Sequence, residues 1–202
     1  FHNNTGKNKK AMVEFVSANP TGPLHIGHGR GAAYGDSVAR ILSMSGYNVT
    51  REYYVNDAGN QMNNLALSVY SRAAEILGRQ NEAPFPEAGY HGDYIKDIAA
   101  ELLKTRKDIL DIDKKEALSI CLDLAVKTIQ QDIDDDLKDF RVEFHNYFSE
   151  KSLYKNGLVE KTLEKLASSG KTFEQDGALW LKTSSMGDDK DRVLRKSTGE
   201  YT

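Results

Sequence analysis

Between residues 17 and 31 the chain reads Ser17-Ala18-Asn19-Pro20-Thr21-Gly22-Pro23-Leu24-His25-Ile26-Gly27-His28-Gly29-Arg30-Gly31, an order that few backbones can accommodate. The apolar run from Ala11 to Val16 just before it predicts a strand. Pro20, Gly22 and Pro23 end that strand, because proline takes a donor out of the ladder. Helical spacing then sets in at His28. A strand that passes through a glycine-rich turn into a helix makes an anion site, since the first helical N–H groups have no internal partner and the positive end of the macrodipole lies there. The guest it predicts is a phosphate. Gly27 and Gly29 let a flat ring or a phosphate come against the backbone where a Cβ would collide. His25 and His28 supply donors that strengthen as charge builds on phosphorus, each such preorganised donor being typically worth about 10² to 10³ in rate. A plainer reading stands beside this one, in which both histidines simply cap the turn and the helix.

The rest of the chain alternates in the manner of an α/β fold. Ala32, Ala33, Val38, Ile41, Leu42 and Met44 recur at helical spacing up to a stop at Gly46, and Asn48 to Val55 reads as a second strand. A second helix is predicted from about Ala58 to Leu77, on the stripe Met62, Leu65, Ala66, Val69, Ala73, Ile76 and Leu77, with Asp57 as its N-cap. Strand, helix, strand, helix implies parallel strands and right-handed crossovers, hence the first half of a doubly wound, Rossmann-like nucleotide-binding sheet. The expected organisation is a lead-in over 1–10, that half-sheet over 11–78, a mainly helical insertion over 79–140, and a continuation with β-hairpins over 141–202. Within the insertion, helices are predicted at roughly 93–106 and 113–139. The second carries an apolar stripe from Leu118 through Cys121, Ile129 and Ile133 to Phe140, opposite a run of aspartates that reads as a solvated face. A third strand is expected at Val142 to His145, a helix at Gly157 to Ser169, and a hairpin from Thr172 to Thr183 turning at Asp176-Gly177 with Trp180 in the core. More strand follows from Asp191, with a turn at Thr198-Gly199.

Composition narrows the function classes. With 39% hydrophobic and 28% charged residues the chain is ordinary globular material, and no apolar run reaches the roughly 18 residues of a membrane span. The net charge of −3 leaves no general basic footprint for nucleic acid. One cysteine, Cys121, excludes an internal disulfide framework and fits a reducing compartment. No calcium-loop pattern occurs, and His91 and His145 lie in segments unrelated to the first pair, so no protein-bound structural metal is expected.

Val13-Glu14-Phe15-Val16 running into Ser17-Ala18-Asn19-Pro20-Thr21-Gly22-Pro23-Leu24-His25-Ile26-Gly27-His28, with Tyr54-Val55-Asn56-Asp57-Ala58-Gly59-Asn60-Gln61 later, resembles the first signature and surroundings of the arginyl-tRNA synthetases of class I. The resemblance extends over essentially all of the chain and is densest from 11 to 62. It implies ATP-dependent attachment of L-arginine to its tRNA through an arginyl-adenylate, with Mg²⁺ arriving as the counter-ion of ATP, in a cytoplasmic protein that is a monomer and has no membrane partner. Carried over by position, His25 and His28 stabilise charge at the α-phosphate. Asn19, Pro20, Gly22, Gly27 and Gly29 join them around ATP. Glu14 takes the arginine side chain, while Ser17, Asn19 and His25 hold its other end. Physical chemistry points the same way for Glu14, because a carboxylate within an apolar strand is costly unless paired and a guanidinium meets it as a planar fork.

Two departures from the family pattern are visible. A Lys-Met-Ser-Lys-Ser type loop and a helical anticodon-reading domain do not occur within these residues, so the expectation is a partial catalytic domain, inactive in isolation. Other readings stay open. One is a related nucleotidyltransferase and another a non-catalytic, synthetase-like binding protein. The third is a dinucleotide fold built on Gly27-His28-Gly29-Arg30-Gly31-Ala32 with Glu52, although Pro20 to Pro23 separate those glycines from the strand.

Overall fold

The computed structural model describes residues 3–202, which form two compact units, the first ending at Lys151 and the second comprising Ser152–Thr202. In the first unit β1 (Lys10–Glu14), α1 (Ile26–Met44), β2 (Asn48–Val55), α2 (Asn60–Ile76), α3 (Asp93–Thr105), α4 (Lys114–Asp139) and β3 (Asn146–Ser149) follow in order. All three strands are parallel, in spatial order β1-β2-β3, with Glu14 opposite Glu52 and Val55 opposite Ser149. Of the expected lead-in, residues 1 and 2 lie outside the described residues. Asn3 to Asn8 bond instead to the end of α1, with Gly6 N donating to Ser45 O and Asn8 N to Gly46 O at 2.8 Å each.

Strand alternation separates the two faces of the sheet. Ala11, Val13, Tyr53 and Val55 face the helices, whereas Lys10, Met12 and Glu14 are exposed. Helix α1 seats itself through small residues: Ala32, Gly35 and Ala39 are its buried positions. A Cβ at Gly35 would fall 2.2 Å from Phe15 Cγ, so the helix and β1 approach closer there than any side chain allows. That choice of face leaves Ile41 and Met44 exposed, although their spacing predicted burial. An ion pair of Arg51 with Asp36 at 3.0 Å ties β2 to α1.

The larger core lies among α2, α3 and α4, around Leu65, Val69, Ile95, Ile98, Ile129 and Ile133, so α3 and α4 share one core with the sheet unit. Asp113 caps α4 by accepting from Lys115 N and Glu116 N, and burial pushes the Cys121 thiol up to about 12, which makes it core packing material. Phe140, expected at the end of the buried stripe, is exposed. The third strand begins four residues later than the sequence suggests. Arg141 takes a left-handed conformation (φ 61°), its N–H donates to Lys138 O and that of Val142 to Leu137 O, both at 2.9 Å. This is a Schellman stop with arginine where glycine is usual, and the buried Val142 belongs to it, so pairing with β2 waits until Asn146.

The second unit holds α5 (Lys151–Lys155, straddling the division), α6 (Leu158–Ser168), β4 (Thr172–Gln175), β5 (Ala178–Leu181), a 3₁₀ turn (Thr183–Met186) and β6 (Arg192–Arg195). Asp176 and Gly177, with φ of 52° and 75°, turn the β4–β5 hairpin. Trp180 is half-buried, where the sequence predicted core: it stacks on Phe173 with ring centroids 6.2 Å apart and donates its indole N–H to Gln175 O. Three strands of four residues each and two short helices supply too little apolar surface to enclose an indole.

Candidate active site

The parallel strands end at one edge of the sheet, the edge where open α/β folds place ligands, and the predicted site residues form two separate groups, Glu14 with Ser17 at the end of β1 and His25 with His28 at the start of α1. Phe15 O accepts from Ser17 N at 2.9 Å across Val16, and Val16 and Ser17 both hold positive φ, 63° and 43°. Such a conformation is costly for a β-branched residue. It folds the chain back so that the Ser17 hydroxyl donates to Glu14 Oε1 while accepting from Tyr54 N at 3.1 Å. Glu14 and Ser17 are therefore one unit, placed at the mouth of the sheet. The premise that Glu14 is buried fails, however: it projects from the exposed face.

Beyond this pair the turn is tied down by its backbone. Pro20 is fully buried, Ala18 is 5% exposed, and Ala18 O accepts from the buried Tyr53 hydroxyl at 3.0 Å. Burial holds that phenol protonated well above its ordinary range. Asn19, like Glu14, is exposed.

Helix α1 starts at Ile26, two residues before the spacing suggested, because His25 is its N-cap. His25 Nδ1 accepts from Gly27 N at 3.1 Å, and His28 Nδ1 accepts from the His25 backbone N–H at 3.2 Å. The histidines thus form a reciprocal capping box at the spacing usually filled by Ser or Thr and Glu, their rings stacked with centroids 3.7 Å apart and planes 18° from parallel. The capping reading of these residues is what the geometry displays. It does not compete with a catalytic one. A ring nitrogen that accepts a hydrogen bond carries no proton, so each neutral ring bears its proton on Nε2, and the box leaves two Nε2–H donors unused. No acidic residue sits in the first turn to neutralise the dipole, and an added Cβ at Gly29 or Gly31 would meet nothing within 4 Å.

Desolvation, and then repulsion from His25, lower the His28 pKa below 6.5. A histidine whose folded pKa lies below its unfolded value contributes stability that is present above about 6.5 and is lost as pH falls through the folded value. The melting temperature of the wild type is expected to drop more on acidification from about pH 7 to about pH 5 than that of His28→Gln, which lacks the titrating ring at position 28; equal drops would refute this.

The other predicted residues near the edge have different duties. Asp57 is not the cap of α2, whose N-cap is Gly59 with no side-chain bond. Its carboxylate accepts from Ser149 Oγ at 2.6 Å and Lys151 N at 2.9 Å, joining the ends of β2 and β3. Gln61 Nε2 donates to Asn56 O at 2.9 Å, and the Tyr54 hydroxyl donates to Glu150 Oε2 at 2.9 Å. A residue that sequence reasoning passed over, Tyr94 of α3, donates its hydroxyl to Thr21 O at 2.6 Å. Among the described residues no group of three or more His, Cys, Asp or Glu is placed to hold a metal ion, and no helix is long and apolar enough to cross a membrane.

Comparison with known proteins places this geometry in context. The profile of the family described as tRNA synthetases class I (R), catalytic domain, matches residues 1–202. An arginine–tRNA ligase of Nitratidesulfovibrio vulgaris (strain DSM 19637 / Miyazaki F) is 57% identical over 199 residues, covering 98% of this chain and 35% of the relative. Arginine–tRNA ligase 1 of Halalkalibacterium halodurans is 52% identical over 200 residues, 98% of this chain and 36% of the relative. The chain thus spans about a third of the length of these relatives. Among solved structures, a Campylobacter jejuni protein provisionally assigned as an arginyl-tRNA synthetase superposes with a TM-score of 0.86 at 38% identity, covering all of this chain and 43% of that one. The Thermus thermophilus arginyl-tRNA synthetase superposes with a TM-score of 0.66 at 25% identity, covering all of this chain and 34% of its own.

Proposed function

Because the chain belongs to the family of class I arginyl-tRNA synthetase catalytic domains, we propose that it contributes the arginine-binding and α-phosphate-binding part of a protein that joins L-arginine to its tRNA at the expense of ATP. In the first step the arginine carboxylate attacks the α-phosphorus of ATP, an O–P bond forms, and pyrophosphate leaves with the electrons of the bond that breaks. In the second, a hydroxyl of the terminal ribose of the tRNA attacks the arginyl carbonyl and AMP leaves. Phosphorus transfers of this kind ask the protein for position and charge stabilisation more than for a nucleophile.

The observation that carries the reading is the histidine box. Its two Nε2–H groups are preorganised beside a helix N-terminus, and charge developing at an α-phosphate placed there is met without reorganisation. Gly29 gives the nucleotide room beside the helix, Gly27 gives the His25 ring its place in the box, and Asn19 and Gly22 line the approach on a turn that the buried Pro20 stiffens. Glu14, one oxygen bonded to Ser17 and its side chain on the exposed face, receives the guanidinium, and Ser17 with Asn19 receives the α-amino and carboxylate end. His25 serves both substrates. Mg²⁺ accompanies ATP as its counter-ion, and the whole protein acts as a cytoplasmic monomer.

The test is arginine-dependent exchange of labelled pyrophosphate into ATP by the whole protein, with tRNA supplied. Exchange is expected with arginine and not with lysine, whose ammonium cannot satisfy a site built for a planar fork. Exchange driven instead by glutamine or cysteine would overturn the amino-acid assignment.

A further inference from the structure

We infer that Tyr94 is a positioning residue for the nucleotide, through which helix α3 sets the path of the turn that carries His25 and His28. The inference rests on the proposal that this turn is the ATP subsite. Its basis is a tether across 73 positions of sequence, from the Tyr94 hydroxyl to the carbonyl oxygen of Thr21 at 2.6 Å. A second tyrosine does the same from the sheet side, Tyr53 to Ala18 O at 3.0 Å. The two hydroxyls grip carbonyls on either side of the buried Pro20, so the segment leading to His25 is held from two elements.

The tether is steric as well as polar. A Cβ at Gly22 would lie 3.0 Å from Tyr94 Oη and 3.3 Å from its Cζ, so an unsubstituted position there is what lets the hydroxyl reach the turn. Glycine at 22 thus has a reason that does not involve the nucleotide directly. Helix α3 is a firm anchor, with Ile95, Ile98, Ala99 and Leu102 next to Tyr94 all in the core. Burial raises the Tyr94 pKa, so the hydroxyl remains a donor throughout the neutral range. Tyr94 acts on the backbone at Thr21, downstream of the Glu14 and Ser17 pair, which is held separately by Tyr54 N. Its loss therefore falls more on ATP than on arginine, whose guanidinium stays with the separately held Glu14.

The experiment is Tyr94→Phe in the whole protein, read by the Michaelis constants for ATP and arginine in tRNA-supplemented pyrophosphate exchange and by amide hydrogen exchange. Loss of one net hydrogen bond predicts an ATP constant raised about fivefold with a smaller rise in the arginine constant, and amide exchange at Gly27 and His28 about fivefold faster. Protection along Ile98 to Leu102 is expected to persist. An unchanged ATP constant together with unchanged amides overturns the inference. So does a parallel rise of both constants with loss of protection in α3, which marks general loosening. Should the wild type fail to exchange with arginine, the ATP reading falls, and the amides of Gly27 and His28 still decide whether Tyr94 holds the turn.

Discussion

Glu14→Gln is expected to raise the arginine concentration for half-maximal pyrophosphate exchange by about 10²-fold while leaving that for ATP near the wild-type value. The substitution keeps the shape of the side chain and one oxygen, so the hydroxyl of Ser17 retains an acceptor. It replaces the second oxygen with an amide donor, which faces the donors of a guanidinium, and it removes the charge. Since Glu14 stands on the exposed face, no core packing is lost and the unfolding free energy is expected to stay within about 0.5 kcal/mol of the wild type. The effect is thereby separable from misfolding. A variant with unaltered affinity for arginine would remove Glu14 from the pocket, and a matching loss for ATP would mean that the turn, not the guanidinium, had been disturbed.

The second large effect separates the two duties of the histidines. His25→Asn keeps an acceptor at the N-cap, asparagine being among the best residues there, and removes the imidazole. Its melting temperature is expected to remain close to that of the wild type while the exchange rate falls about 10²- to 10³-fold. His25→Ala loses the cap as well and is expected to give up about 1 kcal/mol of stability besides a comparable rate. If the asparagine variant keeps both stability and rate, the box is a helix cap and nothing more.

Legibility of the fold in the sequence followed how local its causes are. Strand β2 was bounded by its own alternation, and α4 by a long apolar stripe behind the Asp113 cap, so both match the structure closely. The glycine stop at Gly46 is equally local. Strand β3 was misplaced because the stop before it uses Arg141 in a conformation that glycine normally advertises. The start of α1 is hard to read from sequence since a histidine cap has no propensity signal, although His25 and His28 stand at the spacing of a capping box.

At the site, nothing in the sequence hints that the Ser17 hydroxyl bonds Glu14, whereas the period-two alternation of Ala11, Val13 and Phe15 against Met12 and Glu14 already argues that the carboxylate points outward. Asp57 looked like a cap because it precedes a helix. Its true partners, Ser149 and Lys151, lie more than ninety positions away. The same distance problem hid Tyr94: nothing near it in sequence hints at Thr21.

The resting place of a nucleotide's α-phosphate decides whether the histidine box is a phosphate site. A crystal structure of the whole protein with arginine and a non-hydrolysable ATP analogue is expected to show α-phosphate oxygens within hydrogen-bond reach of Nε2 of both His25 and His28, with the guanidinium against Glu14. A phosphate bound elsewhere, with both Nε2 atoms facing solvent, would contradict it.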